Sequence, residues 1–400
     1  MARRVVITGT GTVNALGGTM AETRAAMEAG RSAIGPLDLP DLDRLAIRIG
    51  AQVRGFDPLA HFPRTRLSLL DRATQFALVA SRQAVAQADI DIADLGARAG
   101  VILGCSGGGF TSQDEAYRQT YGEGRDRVHP FTVPKVMGSA PAAQVSMEHG
   151  ARGPAYAVSS ACASSNHAMA QAVLAIRTGL ADAMLTGGTE AMLCFGGLKA
   201  WEGLRVMSRD TCRPFCATRS GMVEGEGAAV FVLEERAAAL SRGAPILAEI
   251  AGISMCADAM DIVQPSAEGA ERAMRDALVD AGLTPDEIGY VNAHGTGTMA
   301  NDRVEAAAIA AIFGSDGPPV SSTKSMHGHC IGATGAIELI ACLMALQDGV
   351  MAPTANVEEQ DPGCGIDLVT GTARRGLVTA CLSNAFAFGG MNAVLALRAA

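Results

Sequence analysis

The sequence predicts an α/β fold made of two layered sets of elements. Three observations carry this: short apolar runs that end in glycine, stretches of helical period between them, and a second round of the same alternation from about residue 246. The chain opens with Arg3-Arg4-Val5-Val6-Ile7-Thr8-Gly9, a buried strand entering a turn. A helix follows over 20–30, and residues 67–89 place apolar side chains at helical spacing. Val101-Ile102-Leu103 is a second strand, closed by the glycines at 104 and 107–109. Tyr156-Ala157-Val158 is a third, followed by a small-residue helix over 163–178. Met184-Leu185-Thr186 and Val230-Phe231-Val232-Leu233 complete the first set. The second set has strands over 246–253, 288–291, 377–381 and 393–397, and helices over 268–282, 302–313 and 334–347. No low-complexity linker separates the sets, so residues 1–245 and 246–400 are expected to be intimately packed halves.

Composition narrows the function. Of 400 residues, 48% are hydrophobic and 18% charged, enough to bury a large core. A net charge of −9 and 4% aromatic residues disfavour nucleic acid as a partner. Ten scattered cysteines do not form a disulfide framework. No apolar core of a signal peptide is visible near the start, and the uncharged stretch over 153–176 carries four serines, Asn166 and His167, which excludes a membrane span. A reduced, soluble, cytoplasmic protein is the expectation.

Several familiar motifs fail. Gly9-Thr10-Gly11 follows a strand, but Asn14 stands where a dinucleotide fingerprint needs its third glycine. There is no Gly-Lys pair and so no P-loop. Cys212 and Cys216 lack a second ligand pair at zinc spacing. Gly104-Cys105-Ser106-Gly107-Gly108 does fit the G-x-S-x-G nucleophile elbow, which keeps open a serine hydrolase using Ser106 with His294 or His329 as base.

A stronger constellation lies elsewhere. In Ser159-Ser160-Ala161-Cys162-Ala163-Ser164-Ser165 a strand runs into a helix, and Cys162 sits at the join among small residues. A helix N-terminus favours thiolate and offers free N–H groups to an oxyanion. Asn292-Ala293-His294-Gly295-Thr296-Gly297-Thr298 empties a strand into a glycine and threonine loop. Lys324 and His329, five residues apart, lie in another small-residue segment before a helix. Phe386-Ala387-Phe388-Gly389-Gly390 puts aromatic rings on a glycine loop that could gate a pocket and donate an N–H.

These segments resemble the β-ketoacyl-acyl-carrier-protein synthases of the elongating type, with a Cys-His-His set. The matching stretches are RRVVITGTG, SSACASS, NAHGTGT, SSTKSMHGHCIGATGA and FGGMNA, in order and over nearly the whole chain. The resemblance implies a thiolase-like fold, two βαβαβαβ halves stacked α-β-α-β-α, usually as a homodimer. It implies condensation of an acyl thioester with malonyl-acyl-carrier protein. Cys162 would be the acyl-accepting nucleophile, and His294 and His329 paired donors at the malonyl carbonyl. Lys324 would support them, with Glu305 as its acidic partner. Phe388 would be the gate, its N–H joining that of Cys162 in an oxyanion hole. Thr296 and Thr298 would contact pantetheine, Gly107 would border the acyl pocket, and Arg64 and Arg66 would meet the acidic carrier, with Arg125 and Arg127 as further basic candidates. Asn292, Glu338, Ser383 and Asn384 would form a structural site for a sodium or potassium ion. No resident cofactor is implied, only phosphopantetheine on the carrier substrate, and neither nucleic acid nor membrane is an expected partner.

The chain departs from that pattern in places. Typical members have Gly-Phe-Gly-Gly-Thr-Asn in the gating loop, with serine near its start; here Ala385, Ala387 and Met391 take those places. Alanine restricts φ, so a less mobile loop is expected. Gly107 stands where some members carry a bulky residue, which suggests that longer chains enter. The segments around Lys199-Ala200-Trp201-Glu202 and over 210–215 resemble the nodulation-type branch, which makes specialised acyl chains. His327 stands where threonine is common and is read as incidental; His61, His129, His149 and His167 have no assigned role. A silent partner of the chain-length-factor type remains an alternative, although such relatives usually replace the nucleophile that Cys162 retains.

Overall fold

A computed structural model describes residues 3–314 and 316–400. Ten strands form its main sheet: β1 (Val5–Asn14), β2 (Ala99–Gly104), β3 (Ala155–Val158), β4 (Ala183–Glu190), β5 (Gly227–Glu235), β6 (Ala248–Ala257), β7 (Tyr290–Asn292), β8 (Val320–Ser321), β9 (Ala380–Ala387) and β10 (Met391–Arg398). Their order is β3-β2-β4-β5-β1-β6-β10-β9-β7-β8. Read outward from the centre, the first five run first, fifth, fourth, second, third, and the last five repeat that order. The directions repeat too. In each set the fifth strand is antiparallel to its neighbours and the others pair in parallel. The sets join where Val6 and Ile7 pair with Glu249 and Ala248.

Alternation along the strands sorts side chains to two faces. Ile102 and Phe231 point to a central core, while Val101, Leu103, Val230 and Val232 point outward to helix α1 (Arg72–Ala88). Leu395 and Leu397 share the central core; Val394 and Ala396 face α4 (Ala267–Ala281), with α5 (Met299–Phe313) in the same outer cluster. Between the two five-strand halves of the sheet lie α2 (Ser164–Arg177) and α6 (Thr334–Asp348), whose apolar residues pack with strands of both sets, and α3 (Phe195–Leu204) follows β4. The result is the expected α-β-α-β-α stack. Among the described residues, only the segment Ile331–Asp348 is long and apolar enough to cross a membrane, and 89% of it is buried in this core.

Local chemistry places the elements. Asp71 caps α1 by accepting from Ala73 N–H at 2.9 Å, and Thr298 caps α5 in the same way through Asn301 N–H. The Gly9-Thr10-Gly11 motif lies inside β1, not at a turn after it. A Cβ at Gly9 or Gly11 would come within 2.1 or 2.0 Å of the Ala84 or Ala80 carbonyl oxygen of α1. These glycines therefore serve close strand–helix packing, not a phosphate. The closing hairpin also differs from expectation: β9 runs over Ala380–Ala387, so Phe386 and Ala387 belong to a strand, and only Phe388-Gly389-Gly390 turn.

Candidate active site

Cys162 sits at a strained corner. After β3 the chain passes through Ala161, whose φ of +47° is in the left-handed region that non-glycine residues rarely adopt. Ser164 holds that corner: its Oγ accepts from Ser160 N–H at 2.9 Å and donates to the Ala161 carbonyl at 2.6 Å. The strain turns Cys162 into a cavity lined also by His294, His329, Thr296, Thr298 and Phe388. Helix α2 begins only at Ser164, two residues later than the thiol. Burial wins over the helix terminus here and pushes the Cys162 thiol up to about 12, against the opposing charge of Lys324. The depressed thiol expected from the sequence is thus corrected. The N–H groups of Cys162 and Phe388 both face the sulfur, the pair expected to hold an oxyanion.

His294 leaves the end of β7. Glu305 accepts the N–H groups of His294 at 2.8 Å and Gly295 at 2.7 Å, which fixes the backbone. Lys324 donates to His294 Nδ1 at 3.3 Å and also to the His294 carbonyl. His329 is held by its own N–H to the Val223 carbonyl at 2.7 Å. Its Nδ1 accepts from Ile331 N–H at 3.1 Å and lies 2.9 Å from Thr334 Oγ1. Each Nδ1 faces a donor, so the proton of each neutral ring belongs on Nε2. His329 Nε2 is buried without a partner. Burial, then Lys324, holds both imidazoles well below their usual range, so both are neutral. Their centroids are 5.6 Å apart at 84°. Cys162 Sγ and one nitrogen from each ring lie within 4.8 Å of one another. That trio has metal-ligand spacing. The donors at both Nδ1 atoms leave Nε2 protonated, however, and without a lone pair to offer a cation.

Two expected partnerships are corrected. Lys324 is paired with Glu338 Oε1 at 2.5 Å, both groups fully buried, and not with Glu305. Glu305, on α5, is committed to the His294–Gly295 backbone and to the Asn384 amide at 3.2 Å; Glu338, in the first turns of α6, is the carboxylate that reaches the ammonium. The four cation-site residues are also divided. Asn292 and Ser383 are register partners, and Ser383 faces Cys342 on α6. Asn384 follows on the opposite face, toward Met274 of α4 and Glu305.

Other residues fall as follows. Thr296 and Thr298 line the cavity with hydroxyls 2.9 Å apart. Gly107 is not part of that lining; a Cβ there would lie 3.0 Å from Met192 Sδ and 3.2 Å from Glu190 Oε1, so the space beside it is taken by these two side chains. Arg64 is exposed, whereas Arg66 is tied to Glu148. Ser106 donates its N–H to Glu190, and among the described residues no imidazole bonds to it, which removes the basis of a hydrolase. Ala385 and Ala387 pack with Met391 against Cys162 and Ala163, and neither alanine has a positive φ. The departures from the gating pattern therefore form a methyl layer beside the sulfur. Trp201, which the sequence marks only within the segment that resembles the nodulation-type branch, stands at the cavity with its ring 6.2 Å from that of Phe388. Sequence reasoning missed Asp258, whose N–H donates to the Gly390 carbonyl at 2.8 Å while its Oδ1 accepts from Asn392 at 2.7 Å. Asp258 stands in no motif, so only the fold reveals it.

A strained thiol facing two Nε2–H donors is suited to acyl transfer followed by stabilisation of an enolate, and the duplicated five-strand order is that of thiolase-like condensing enzymes. Comparison with known proteins agrees. Residues 2–239 match the family described as "Beta-ketoacyl synthase, N-terminal domain" and residues 247–358 its C-terminal domain, so the chain belongs to the β-ketoacyl synthase family and is a condensing acyltransferase. It is 49% identical to "Nodulation protein E" of Rhizobium sp. (strain N33) over 401 residues, covering 100% of both chains. It is 38% identical to "3-oxoacyl-[acyl-carrier-protein] synthase 2" of Staphylococcus aureus (strain N315), covering 99% of this chain and 98% of the relative. Among solved structures, a β-ketoacyl synthase from Burkholderia phymatum STM815 superposes with a TM-score of 0.92 at 38% identity, covering 100% of each chain. The ishigamide ketosynthase/chain length factor gives 0.95 at 34%, again over 100% of each.

Proposed function

We propose that Cys162 takes an acyl group from a carrier-bound thioester and that the enzyme joins it to malonyl-acyl-carrier protein, giving 3-oxoacyl-carrier protein and carbon dioxide. The convergence of one sulfur and two imidazole nitrogens within 4.8 Å carries this reading. In the first half, Sγ attacks the acyl carbonyl, the N–H groups of Cys162 and Phe388 hold the oxyanion, and the thiol proton leaves with the carrier sulfur. In the second, the carboxylate of malonate departs as carbon dioxide and its bond pair stays on the adjacent carbon. The enolate oxygen receives Nε2–H from His294 and His329. That carbon attacks the acyl-cysteine, the C–S bond breaks, and one proton from solvent restores the thiol. Phosphopantetheine arrives on the substrate, and the chemistry calls for no resident cofactor. The higher identity to Nodulation protein E than to the synthase 2 relatives favours a specialised acyl chain over primary fatty-acid synthesis.

Exposed Arg64 is the free basic group we assign to the acidic carrier; Arg66 supports it through its tie to Glu148. Asn292 Oδ1, Glu338 Oε2 and Ser383 Oγ are buried without hydrogen-bond partners, a hard oxygen set that fits a sodium or potassium ion. Such an ion would supply fixed positive charge behind the Lys324–Glu338 pair. We read the molecule as a homodimer through the exposed edge strand β3, at the far end of the sheet. We place the boundary of the two halves at residue 245, in the connection between β5 and β6.

The direct test is incubation with acyl-carrier and malonyl-carrier, followed by mass analysis of protein and product. One acyl group should appear on Cys162 alone. His329→Ala should stop decarboxylation while Cys162 is still acylated, a loss of about 10²–10³ for one such donor. Acyl transfer that survives Cys162→Ser and is abolished by Ser106→Ala would return the hydrolase to consideration.

A further inference from the structure

The Gly104-Cys105-Ser106-Gly107-Gly108 turn has the spacing of a nucleophile elbow, and its N–H groups are already engaged. Glu190, the last residue of β4, is fully buried. Its Oε2 accepts from Ser106 N–H at 2.8 Å, its Oε1 from Gly107 N–H at 3.1 Å, and Oε2 again from Gly332 N–H at 3.1 Å. One carboxylate thus ties the turn after β2 to the segment that follows His329. Gly332 must be glycine for this contact, since a Cβ there would lie 2.6 Å from Glu190 Oε2 and 2.6 Å from Ser106 N.

We propose that Glu190 is a positioning residue for His329: it anchors the Ile331–Gly332 backbone whose N–H fixes the tautomer and aim of the imidazole. The chain of contacts is short. Gly332 N–H is held by Glu190, and the neighbouring Ile331 N–H donates to His329 Nδ1. Thr334, two residues on, places its hydroxyl at the same nitrogen. Together these leave the proton on Nε2, the atom aimed into the cavity. Glutamine at 190 keeps the shape but replaces one acceptor oxygen by an NH₂. That group meets backbone N–H donors head on, so either the Ser106–Gly107 turn or Gly332 must give way. Burial pushes the Glu190 carboxyl up to about 7, with Asp71 adding to the rise, while Glu224 lies nearby and the Cys105 thiol donates to Oε1. The three N–H groups act against that rise and favour the carboxylate form.

The inference rests on the proposed roles of Cys162 and His329, and the experiment separates the two. Glu190→Gln is compared with wild type for acylation of Cys162, for decarboxylation of malonyl-carrier, and for the ring ¹⁵N signals of His329 in histidine-labelled protein, assigned with His329→Ala. Decarboxylation should fall about 10²-fold, the scale of an ångström of misplacement, with acylation near the wild-type rate and with His329 moving off the pure Nε2–H tautomer. Equal losses in both half-reactions, or unchanged His329 signals, overturn it. Should Glu190→Gln fail to fold, Gly332→Ala presses on the same link and should show the same selective loss; full decarboxylation by that variant also overturns the inference. Wild type that neither acylates Cys162 nor decarboxylates malonyl-carrier would instead sink the condensation reading itself.

Discussion

The ammonium group of Lys324 has no contact with solvent and three contacts with protein: Glu338, the His294 carbonyl and His294 Nδ1. A buried charge survives only when paired and hydrogen-bonded, and here the pairing has a chemical product. Burial and the nearby Lys324 hold the His294 imidazole well below its usual range, so it stays neutral and donates from Nε2. Glu224 is the opposite case. It is fully buried, both of its oxygens lack partners, and burial beside Glu190 and Glu226 raises its carboxyl well above the usual range. The folded form therefore holds a neutral acid that the unfolded chain would ionise above about pH 4.5. Stability from this group is present below that pH and is lost as pH rises toward the folded value. Glu224→Leu should raise unfolding stability by about 1–3 kcal/mol at pH 8 and by less at pH 5, measured by urea titration at both. An equal effect at the two pH values would show that the carboxyl is not titrating as described.

Elements with one apolar face were legible in the sequence. Strands β2, β4 and β5 and helices α1, α2, α4, α5 and α6 were found within a few residues, because each packs against a core that imposes period 2 or 3.6, whereas β1 runs on to Asn14 past the turn expected at Gly9. The region over 110–149 was not read, although it holds the helices Phe110–Tyr117 and Ala140–His149. Phe110–Tyr117 buries no residue completely, and Tyr121, Phe131 and Val133 nearby are exposed at 86%, 48% and 67%, so no stripe marks a core-facing side. The two-residue β8 is too short to carry a pattern. Cys162, His294, Lys324 and His329 were legible as types in motifs. Which carboxylate meets Lys324 was not, because Glu305 and Glu338 are both plausible until α5 and α6 are placed. Among the described residues β3 is an open edge of the sheet, and Tyr156 on it is 40% exposed. An unpaired edge beside apolar surface calls for a partner. Sedimentation should therefore give twice 40.9 kDa, and Tyr156→Arg with Val133→Asp should shift the protein toward the single-chain mass. A single-chain mass for the unaltered protein would remove the dimer.

At the scale of the molecule, duplication explains why the site lies where it does. The turn after β3 supplies Cys162; its counterpart after β8 supplies Lys324 and His329, and His294 follows β7, the counterpart of β2. The two sheets close on α2 and α6, so the segments that leave equivalent strand ends face one another across the cavity. Neither half holds a complete site. Trp201 belongs to the first set of elements and Phe388 to the second, so their contact spans the duplication.

That contact makes the protein its own optical probe. Trp201 is the chain's single indole, so ultraviolet emission comes almost wholly from the doorway to the sulfur. Any swing of the benzyl ring opposite it should change the colour and intensity of that light, and stopped-flow mixing with carrier-borne thioester would time the swing without a dye. A signal that stays flat while the thiol becomes loaded would mean that substrate comes in by another door.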